Sequence, residues 1–271
     1  MEFDEKQYDG PYEVTAVEIN IEEQLLRGLL YFPRDLHSKP FPVITYFHDF
    51  PQIFSLHQII VNLEFLLKNG FSLLVFNFRG YGQSQGTVSL KSQLQDAVKI
   101  AEFVQLMGKK GIFKRQELNI LSHGFGSYFA LLLCSTINFV NNVLLMSPIL
   151  DVKNKVNNHA FVNLLQYLNR YLPGIVHGIE NVDNFISKTK LELNNDRYQV
   201  EKVLNDMKFN KLKIIVGNDN KFIDISQLNV TLVNYLVNTE LVLIEQMEHE
   251  WIEEDCISEI QEQILSFFCK Y

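Results

Sequence analysis

The sequence predicts a single α/β domain in which a mostly parallel, twisted sheet of about eight strands is flanked by helices. Strand-like and helix-like patterns alternate along most of the 271 residues, and the composition is 47% hydrophobic and 21% charged. One segment, 151–209, breaks the alternation. Because the strand pattern resumes after it, we expect this segment to be a helical lid inserted into one domain, 1–271, rather than a second domain.

The first half of the chain shows strand patterns that end in turns rich in glycine or proline. The two opening strands are expected to form an antiparallel pair, and Pro33 ends the second. The continuous apolar run 71–78 is typical of a strand buried on both faces. The expected strands are 14–19, 24–31, 42–47 and 71–78, and the expected helices are 57–68 and 90–107.

The second half repeats the same pattern on both sides of the inserted segment. A strand at 117–122 is followed directly by an apolar helix, and Pro173 and Gly174 interrupt the helical pattern inside the insertion. The further expected strands are 142–146, 211–216 and 240–244, and the further expected helices are 125–135 and 256–268.

Charge and hydropathy exclude several classes of function. The chain carries 24 basic and 32 acidic residues, a formal net charge of −8. Binding to the phosphates of nucleic acid requires a positive surface field, so we expect no nucleic-acid partner. No apolar run approaches the roughly 18 residues that a membrane-spanning helix needs, so we expect no transmembrane segment.

The cysteines and the amino terminus bear on the compartment. Cys134, Cys256 and Cys269 are odd in number and form no CxxC pair, which favours reduced thiols inside the cell. The first residues show neither a secretory signal nor an Arg-rich targeting pattern. We therefore expect an intracellular and by default cytoplasmic protein. An organelle such as the mitochondrion is the alternative if the chain is a mature form or carries a cryptic signal.

Three motifs follow three expected strands in a recognisable order. They are His-Asp-Phe-Pro at 48–51, Arg-Gly-Tyr-Gly-Gln-Ser at 79–84 and Ser-His-Gly-Phe-Gly at 122–126. These motifs resemble the His-Gly-x-Pro turn, the Arg-Gly-x-Gly-x-Ser turn and the nucleophile elbow of the α/β-hydrolases. The resemblance covers nearly the whole chain and is strongest to the lipase, esterase and serine-peptidase branch. It implies the α/β-hydrolase fold, with the insertion in the position of the lid.

The register of the elbow identifies its apex. The nucleophile of such an elbow takes a positive φ, so the residues two before and two after it must be small. With Gly124 at the apex, these residues are Ser122 and Gly126. An apex at Ser122 would place Ile120 in the tight turn, and an apex at Ser127 would lie within the helix. Only the Gly124 register fits, so the position of the attacking hydroxyl has no side chain.

The resemblance also assigns the other two members of a catalytic triad. The acid position falls on Asn220, which lacks the carboxylate needed to stabilise an imidazolium. Asp219 and Asp151 are nearby alternatives for the acid, although an Asn/Asp turn stabilised by local hydrogen bonds also explains the residues around Asn220. His249 matches the histidine position, after the last strand.

An oxyanion hole in this family would use two backbone N–H groups. Here they would be the N–H of Phe125 and one near Phe50. Asp49 replaces the usual glycine at the rim of the hole. A carboxylate there opposes the formation of an oxyanion unless it is protonated or turned away.

These changes favour a catalytically degenerate protein, a pseudoenzyme that acts as a binding or structural component of a larger protein assembly. One alternative is an ester or peptide hydrolase with an atypical nucleophile, or with a water activated by His249 and Asp219. Another is a receptor that binds a hydrophobic small molecule in the former acyl pocket. We expect no cofactor and no metal, because His48, His123 and His249 lack the spacing of zinc ligands.

The insertion supplies the candidate contact surface for a protein partner. Its apolar residues have helical spacing, and they either face a partner or cover the vacated pocket. They are Phe161, Leu164, Leu165, Tyr167, Leu168, Tyr171 and Leu172.

Overall fold

The computed structural model describes residues 7–33, 37–228, 232, 236, 239–251 and 255–269. Nine strands form one sheet within this part of the chain. They are β1 (Gln7–Asp9), β2 (Tyr12–Ile21), β3 (Gln24–Phe32), β4 (Phe41–Phe47), β5 (Ser72–Asn77), β6 (Phe113–His123), β7 (Val140–Met146), β8 (Lys211–Gly217) and β9 (Thr239–Ile244).

The order of the strands across the sheet is β1-β2-β3-β5-β4-β6-β7-β8-β9. The pairs β1–β2, β2–β3 and β3–β5 are antiparallel, and the pairs from β5 to β9 are parallel. The predicted antiparallel opening pair is therefore present as β2 and β3. The sheet agrees with the expected count of about eight strands, and the three-residue edge strand β1 is the one that the sequence pattern did not reveal.

Ten α-helices lie among the described residues. They are α1 (Leu56–Asn62), α2 (Glu64–Lys68), α3 (Leu90–Lys109), α4 (Gly126–Thr136), α5 (Val152–Asn157), α6 (His159–Tyr171), α7 (Val182–Glu192), α8 (Val200–Val203), α9 (Ile225–Leu228) and α10 (Ile257–Phe268). The single helix expected at 57–68 is divided into α1 and α2. The chain tightens at Leu63, whose N–H bonds to both Ile59 O and Ile60 O.

The two faces of the sheet carry two separate apolar cores. Neighbouring strand residues such as Val43 and Ile44, or Leu144 and Leu145, belong to different cores, because successive side chains of a strand point to opposite faces. One core includes α3, α4 and the inserted segment, and the other includes α1, α2 and α10. Both faces are covered, which explains why the central strands read as continuous apolar runs.

A buried ion pair fixes the turn after β5. Arg79 Nε lies 2.6 Å from Asp96 Oδ1 on α3, and both side chains are almost fully buried. The backbone N–H of Arg79 donates to Asp96 Oδ2 as well. Removing one partner of such a pair leaves a buried charge uncompensated, at a cost of about 3–5 kcal/mol. The Arg-Gly-x-Gly-x-Ser turn is thus held to the helix that follows it.

The segment between β7 and β8 contains α5, α6, α7 and α8 and is fastened to the body by backbone hydrogen bonds. Gly178 N donates to Gly80 O at 3.0 Å, and Val88 N donates to Gly178 O at 3.1 Å. Glu192, at the end of α7, accepts from Leu90 N at the start of α3. Among the described helices, none combines the length and the apolar character needed to cross a bilayer.

Candidate functional site

The strand-to-helix turn at Gly124 has the geometry expected of an elbow. β6 ends at His123, Gly124 has a φ of +51°, and α4 begins at Gly126. The Gly124 N–H donates to Met146 O at 3.0 Å. A Cβ on Gly126 would overlap Phe47 O, and Ser122 is fully buried, so both flanking positions require small residues. The structure therefore places Gly124 at the apex of the turn.

The carboxyl group of Asp49 fills the space beside Gly124. A Cβ added to Gly124 would overlap Cγ and both oxygens of Asp49. The Phe125 N–H donates to Asp49 Oδ1 at 2.5 Å, and His249 Nε2 lies 3.1 Å from Asp49 Oδ2. Asp49 therefore accepts the Phe125 N–H, which the resemblance assigns to an oxyanion hole. It also contacts His249 Nε2, the ring nitrogen that would contact the nucleophile in that family.

The carboxyl of Asp49 is ionised at neutral pH. Burial by itself would raise the pKa of Asp49, but hydrogen bonds and nearby charges from three residues oppose that effect. The hydrogen bond with His249, the charges of His123 and His249, and the Phe125 N–H together hold the pKa of Asp49 below its usual value. The rim carboxylate that the sequence predicts is thus neither protonated nor turned away, and it binds the Phe125 N–H, one of the two donors that the resemblance assigns to an oxyanion hole.

Asn220, at the predicted acid position, is buried behind His249. Its Nδ2 lies 3.4 Å from His249 Nδ1 and donates to Ser147 Oγ at 3.2 Å, while its Oδ1 accepts the Phe222 N–H. Asp219, one of the alternative acids, is exposed to solvent. The other, Asp151, uses its Oδ1 to accept Asn154 N–H and thereby caps α5. The side chain that contacts His249 at this position is an amide.

The two serines of the elbow sequence, Ser122 and Ser127, are bonded to each other. Ser122 and Ser127 are fully buried, and their hydroxyl oxygens lie 3.0 Å apart. Ser122 also donates to Leu144 O at 3.2 Å. These contacts give both hydroxyls a packing role beneath the turn.

His48 links the turn after β4 to the end of β5. His48 is buried, and its Nε2 accepts the Phe78 N–H at 3.1 Å. The proton of its ring must therefore lie on Nδ1, which donates to Asp49 O at 2.8 Å. Burial lowers the pKa of His48 to about 4 despite the opposing effect of Asp49. This neutral ring connects the turn after β4 with the end of β5.

His123 is a second histidine close to Asp49 and His249. Its Nε2 lies 3.0 Å from His249 O, and the two imidazole rings are 5.0 Å apart. The spacing of the histidines along the chain does not predict this approach of His123 to His249 and Asp49. Within the described residues, metal-ligating atoms of Asp49, His123 and His249 all lie within 4.8 Å of one another.

Aromatic rings cover the space in front of the elbow. The ring of Phe50 lies 5.6 Å from that of Phe125, 5.7 Å from that of Phe161 on α6 and 5.5 Å from that of Phe185 on α7. Phe50, assigned by resemblance to the hole through its backbone, thus contributes its side chain to this cover. A neighbouring cavity of about 390 Å³ is lined by Lys155 and Phe222, among others, but not by Asp49, Gly124 or His249.

Comparison with known proteins identifies the fold. A family model described as serine aminopeptidase, S33, matches residues 61–213, more than half of the chain. An esterase from Pyrococcus furiosus superposes with a TM-score of 0.69 at 16% identity, over 96% of this chain and 91% of that one. No curated protein sequence matches the chain.

Two further solved structures give the same result. For Est1E from Butyrivibrio proteoclasticus the TM-score is 0.64 at 15% identity, over 94% of this chain and 99% of that one. For a soluble variant of monoglyceride lipase from Saccharomyces cerevisiae, in complex with a substrate analog, it is 0.69 at 13% identity, over 94% of both chains. The predicted α/β-hydrolase fold is confirmed, and at these identities the likeness to solved structures extends to the fold alone.

Proposed function

The chain belongs to the serine aminopeptidase S33 family, and we propose that it is a non-catalytic member, a pseudoenzyme that acts as a binding or structural component of a larger protein assembly. The protein is an α/β-hydrolase of the esterase, lipase and peptidase kind. Its framework is preserved, because the stability of the fold comes from the sheet and the helices and not from a catalytic triad.

One observation carries the proposal, namely the position of the Asp49 carboxylate. It occupies the place of a nucleophile side chain beside Gly124, and it accepts the Phe125 N–H. A tetrahedral intermediate would need that N–H for its oxyanion, and it would form next to a fixed negative charge. Loss of the nucleophile alone costs on the order of 10⁶ in turnover. The carboxylate removes the stabilisation that would otherwise remain.

The shape of the site also argues against the two alternatives. A ligand in the former acyl pocket would have to displace Phe50 and its aromatic neighbours. A water activated by His249 would have to compete with Asp49 Oδ2 for the ring nitrogen. These contacts favour binding through an outer surface over turnover or ligand capture at the centre.

The outer face of α6 is our candidate for that surface. Four of the seven apolar residues of the insertion named above are exposed, namely Leu164, Tyr167 and Tyr171 on α6 and Leu172 directly after it. The rings of Tyr167 and Tyr171 lie 5.0 Å apart, and the guanidinium of Arg170 lies over the Tyr171 ring. Contiguous exposed tyrosine and leucine side chains, with an arginine beside them, have the composition of a protein–protein contact.

The absence of hydrolysis is testable with the purified full chain. We expect no labelling by a fluorophosphonate probe, and hydrolysis of p-nitrophenyl butyrate and of amino acid 4-nitroanilides at the rate of the buffer. The Gly124→Ser variant should remain unlabelled, because Asp49 occupies the position of the new hydroxyl.

Two results would refute the proposal. One is stoichiometric labelling of Ser122 or Ser127, which would reveal a serine nucleophile. The other is turnover by the wild-type protein that disappears in His249→Ala but persists in His57→Ala, which changes a surface histidine paired with Asp9. Lipid retained through native purification would instead support the receptor alternative.

A further inference from the structure

Among the described residues, one cluster of metal-ligating side chains lies at the carboxyl ends of the parallel strands. Asp49 follows β4, His123 is the last residue of β6, and His249 follows β9. One ligand atom from each residue lies within 4.8 Å of the other two, and His123 is buried while the others are partly exposed. Two imidazoles and one carboxylate are the ligand types that bind Zn²⁺ and related ions.

We propose that Asp49, His123 and His249 form a binding site for a divalent transition metal ion of the zinc type. This inference does not depend on the proposed function, because an ion can bind here whether or not the protein hydrolyses a substrate. It reverses the expectation from sequence that the chain has no metal site, which rested on the spacing of the histidines along the chain.

The distances within the cluster are close to those of a metal centre. Two ligands on one zinc ion, each about 2.0–2.1 Å from it, lie about 3.3 Å apart in tetrahedral geometry. Asp49 Oδ2 and His249 Nε2 are already 3.1 Å apart. The ligand atom of His123 lies within 4.8 Å of the other two, and a metal at His123 Nε2 would replace the 3.0 Å hydrogen bond of that nitrogen to His249 O. Three protein ligands leave a fourth position for water.

The surroundings hold the ligands in place. Asp49 Oδ1 is fixed by the Phe125 N–H, which leaves Oδ2 for an ion. Behind His249, Asn220 lies 3.4 Å from Nδ1. When Nε2 binds a metal, Nδ1 carries the proton, and an Asn220 amide turned to accept a hydrogen bond from it would give up the bond that its oxygen accepts from the Phe222 N–H. His249 and Asp49 retain 13% and 14% side-chain exposure, which gives a hydrated ion access.

One nearby cation opposes metal binding and offers a diagnostic. Lys155 Nζ lies 5.3 Å from the centre of the Phe161 ring and 5.1 Å from that of Phe222. Phe222 in turn packs against His249. The charge of Asp49 is close enough to influence the Lys155 pKa, which burial lowers. Removing this positive charge should therefore strengthen the binding of a cation at Asp49.

The experiment uses the full chain carrying Cys269→Ser, which removes an exposed thiol that would bind metal elsewhere. The protein is stripped with EDTA and titrated with Zn²⁺ by calorimetry and with Co²⁺ by visible absorption. We expect one ion per chain and Co²⁺ ligand-field bands. Asp49→Asn and His123→Asn should each weaken binding at least about tenfold, and Lys155→Met should strengthen it several-fold.

A matched control uses a second histidine–carboxylate pair. His57 Nε2 and Asp9 Oδ2 also lie 3.1 Å apart, but on the exposed surface, and the described residues supply no third ligand there. His57→Ala should leave the affinity unchanged. The proposal is wrong if wild-type protein gives no Co²⁺ bands, or if Asp49→Asn and His123→Asn bind as tightly as wild type. Should either variant fail to fold, His249→Gln replaces it, and the wild-type Co²⁺ spectrum still decides the question.

Discussion

At the scale of single residues, Gly124 and Asp49 behave as one structural unit. The space that a side chain on Gly124 would need is filled by the Asp49 carboxyl. A residue larger than glycine at position 124 would overlap the Asp49 carboxyl. Conversely, Asp49 can adopt this position only because residue 124 has no side chain. The glycine at the apex and the rim carboxylate, which look like two separate features in the sequence, are therefore physically coupled.

This coupling predicts the stability of Gly124→Ala. The substitution combines the cost of a positive φ with a steric overlap, so we expect the free energy of unfolding to fall by about 2–4 kcal/mol in urea denaturation. In a double-mutant cycle with Asp49→Gly, the overlap disappears, and the coupling energy should reach at least about 1 kcal/mol.

Gly111→Ala is the control for backbone strain alone. Gly111 has a φ of +73°, and nothing lies within 4 Å of its added Cβ. Gly111→Ala should therefore lower the free energy of unfolding by only about 1–2 kcal/mol. If Gly124→Ala and Asp49→Gly prove additive, the two residues are not coupled and the steric account fails.

At the scale of elements, the helix α6 carries apolar residues on two faces, one buried against the body and one exposed to solvent. Phe161, Leu165 and Leu168 are buried against the body, as the pocket-cover interpretation expects. Leu164 and Tyr167 face outward, as the contact-surface interpretation expects. Helical spacing predicts a helix, but apolar residues on both faces do not reveal which face the body covers.

If the exposed face of α6 binds a protein partner, substitutions on this face should weaken that binding without unfolding the chain. We expect Leu164→Ser/Tyr167→Ser to remove proteins that co-purify with the native chain, as measured by quantitative mass spectrometry. The free energy of unfolding should change by less than about 0.5 kcal/mol, because both side chains are exposed. Leu191→Ser, which changes an exposed leucine on α7, should retain the same proteins. Equal recovery from all three chains would exclude α6 as the contact surface.

At the scale of the whole molecule, the sheet gathers four turns at one edge. The turns after β4, β6, β8 and β9 supply Asp49, Gly124, Asn220 and His249, and parallel strands bring their carboxyl ends together. The two apolar cores lie on either side and do not include these polar groups. The fold can therefore keep its stability while the chemistry at this edge changes.

Global stability should nevertheless fall in acid, because His48 is buried in its neutral form. Its pKa of about 4 in the folded protein lies below the value of 6.5 for an unperturbed histidine. Between these values the unfolded chain binds a proton that the folded protein does not, so stability decreases as the pH falls from 6.5 to 4. The shift corresponds to about 3 kcal/mol.

The measurement is urea denaturation at pH 7 and pH 4 in the presence of EDTA. His48→Asn should lose about 3 kcal/mol less than wild type over this interval, since the titrating group is gone. A variant with the same pH dependence as wild type would show that His48 is not responsible.

The sequence by itself determined the α/β fold class, most strands and helices, and the position of the elbow at Gly124. Each of these follows from local patterns, namely alternation, helical spacing and the need for small residues in a tight turn. It also named Asp49 and His249 among the candidate site residues. The tertiary structure alone decided that the Asp49 carboxylate binds the Phe125 N–H and meets His249, and that His123 approaches both. Asp49 and His249 are 200 positions apart, and the direction of a side chain between packed turns depends on neighbours that no local pattern specifies.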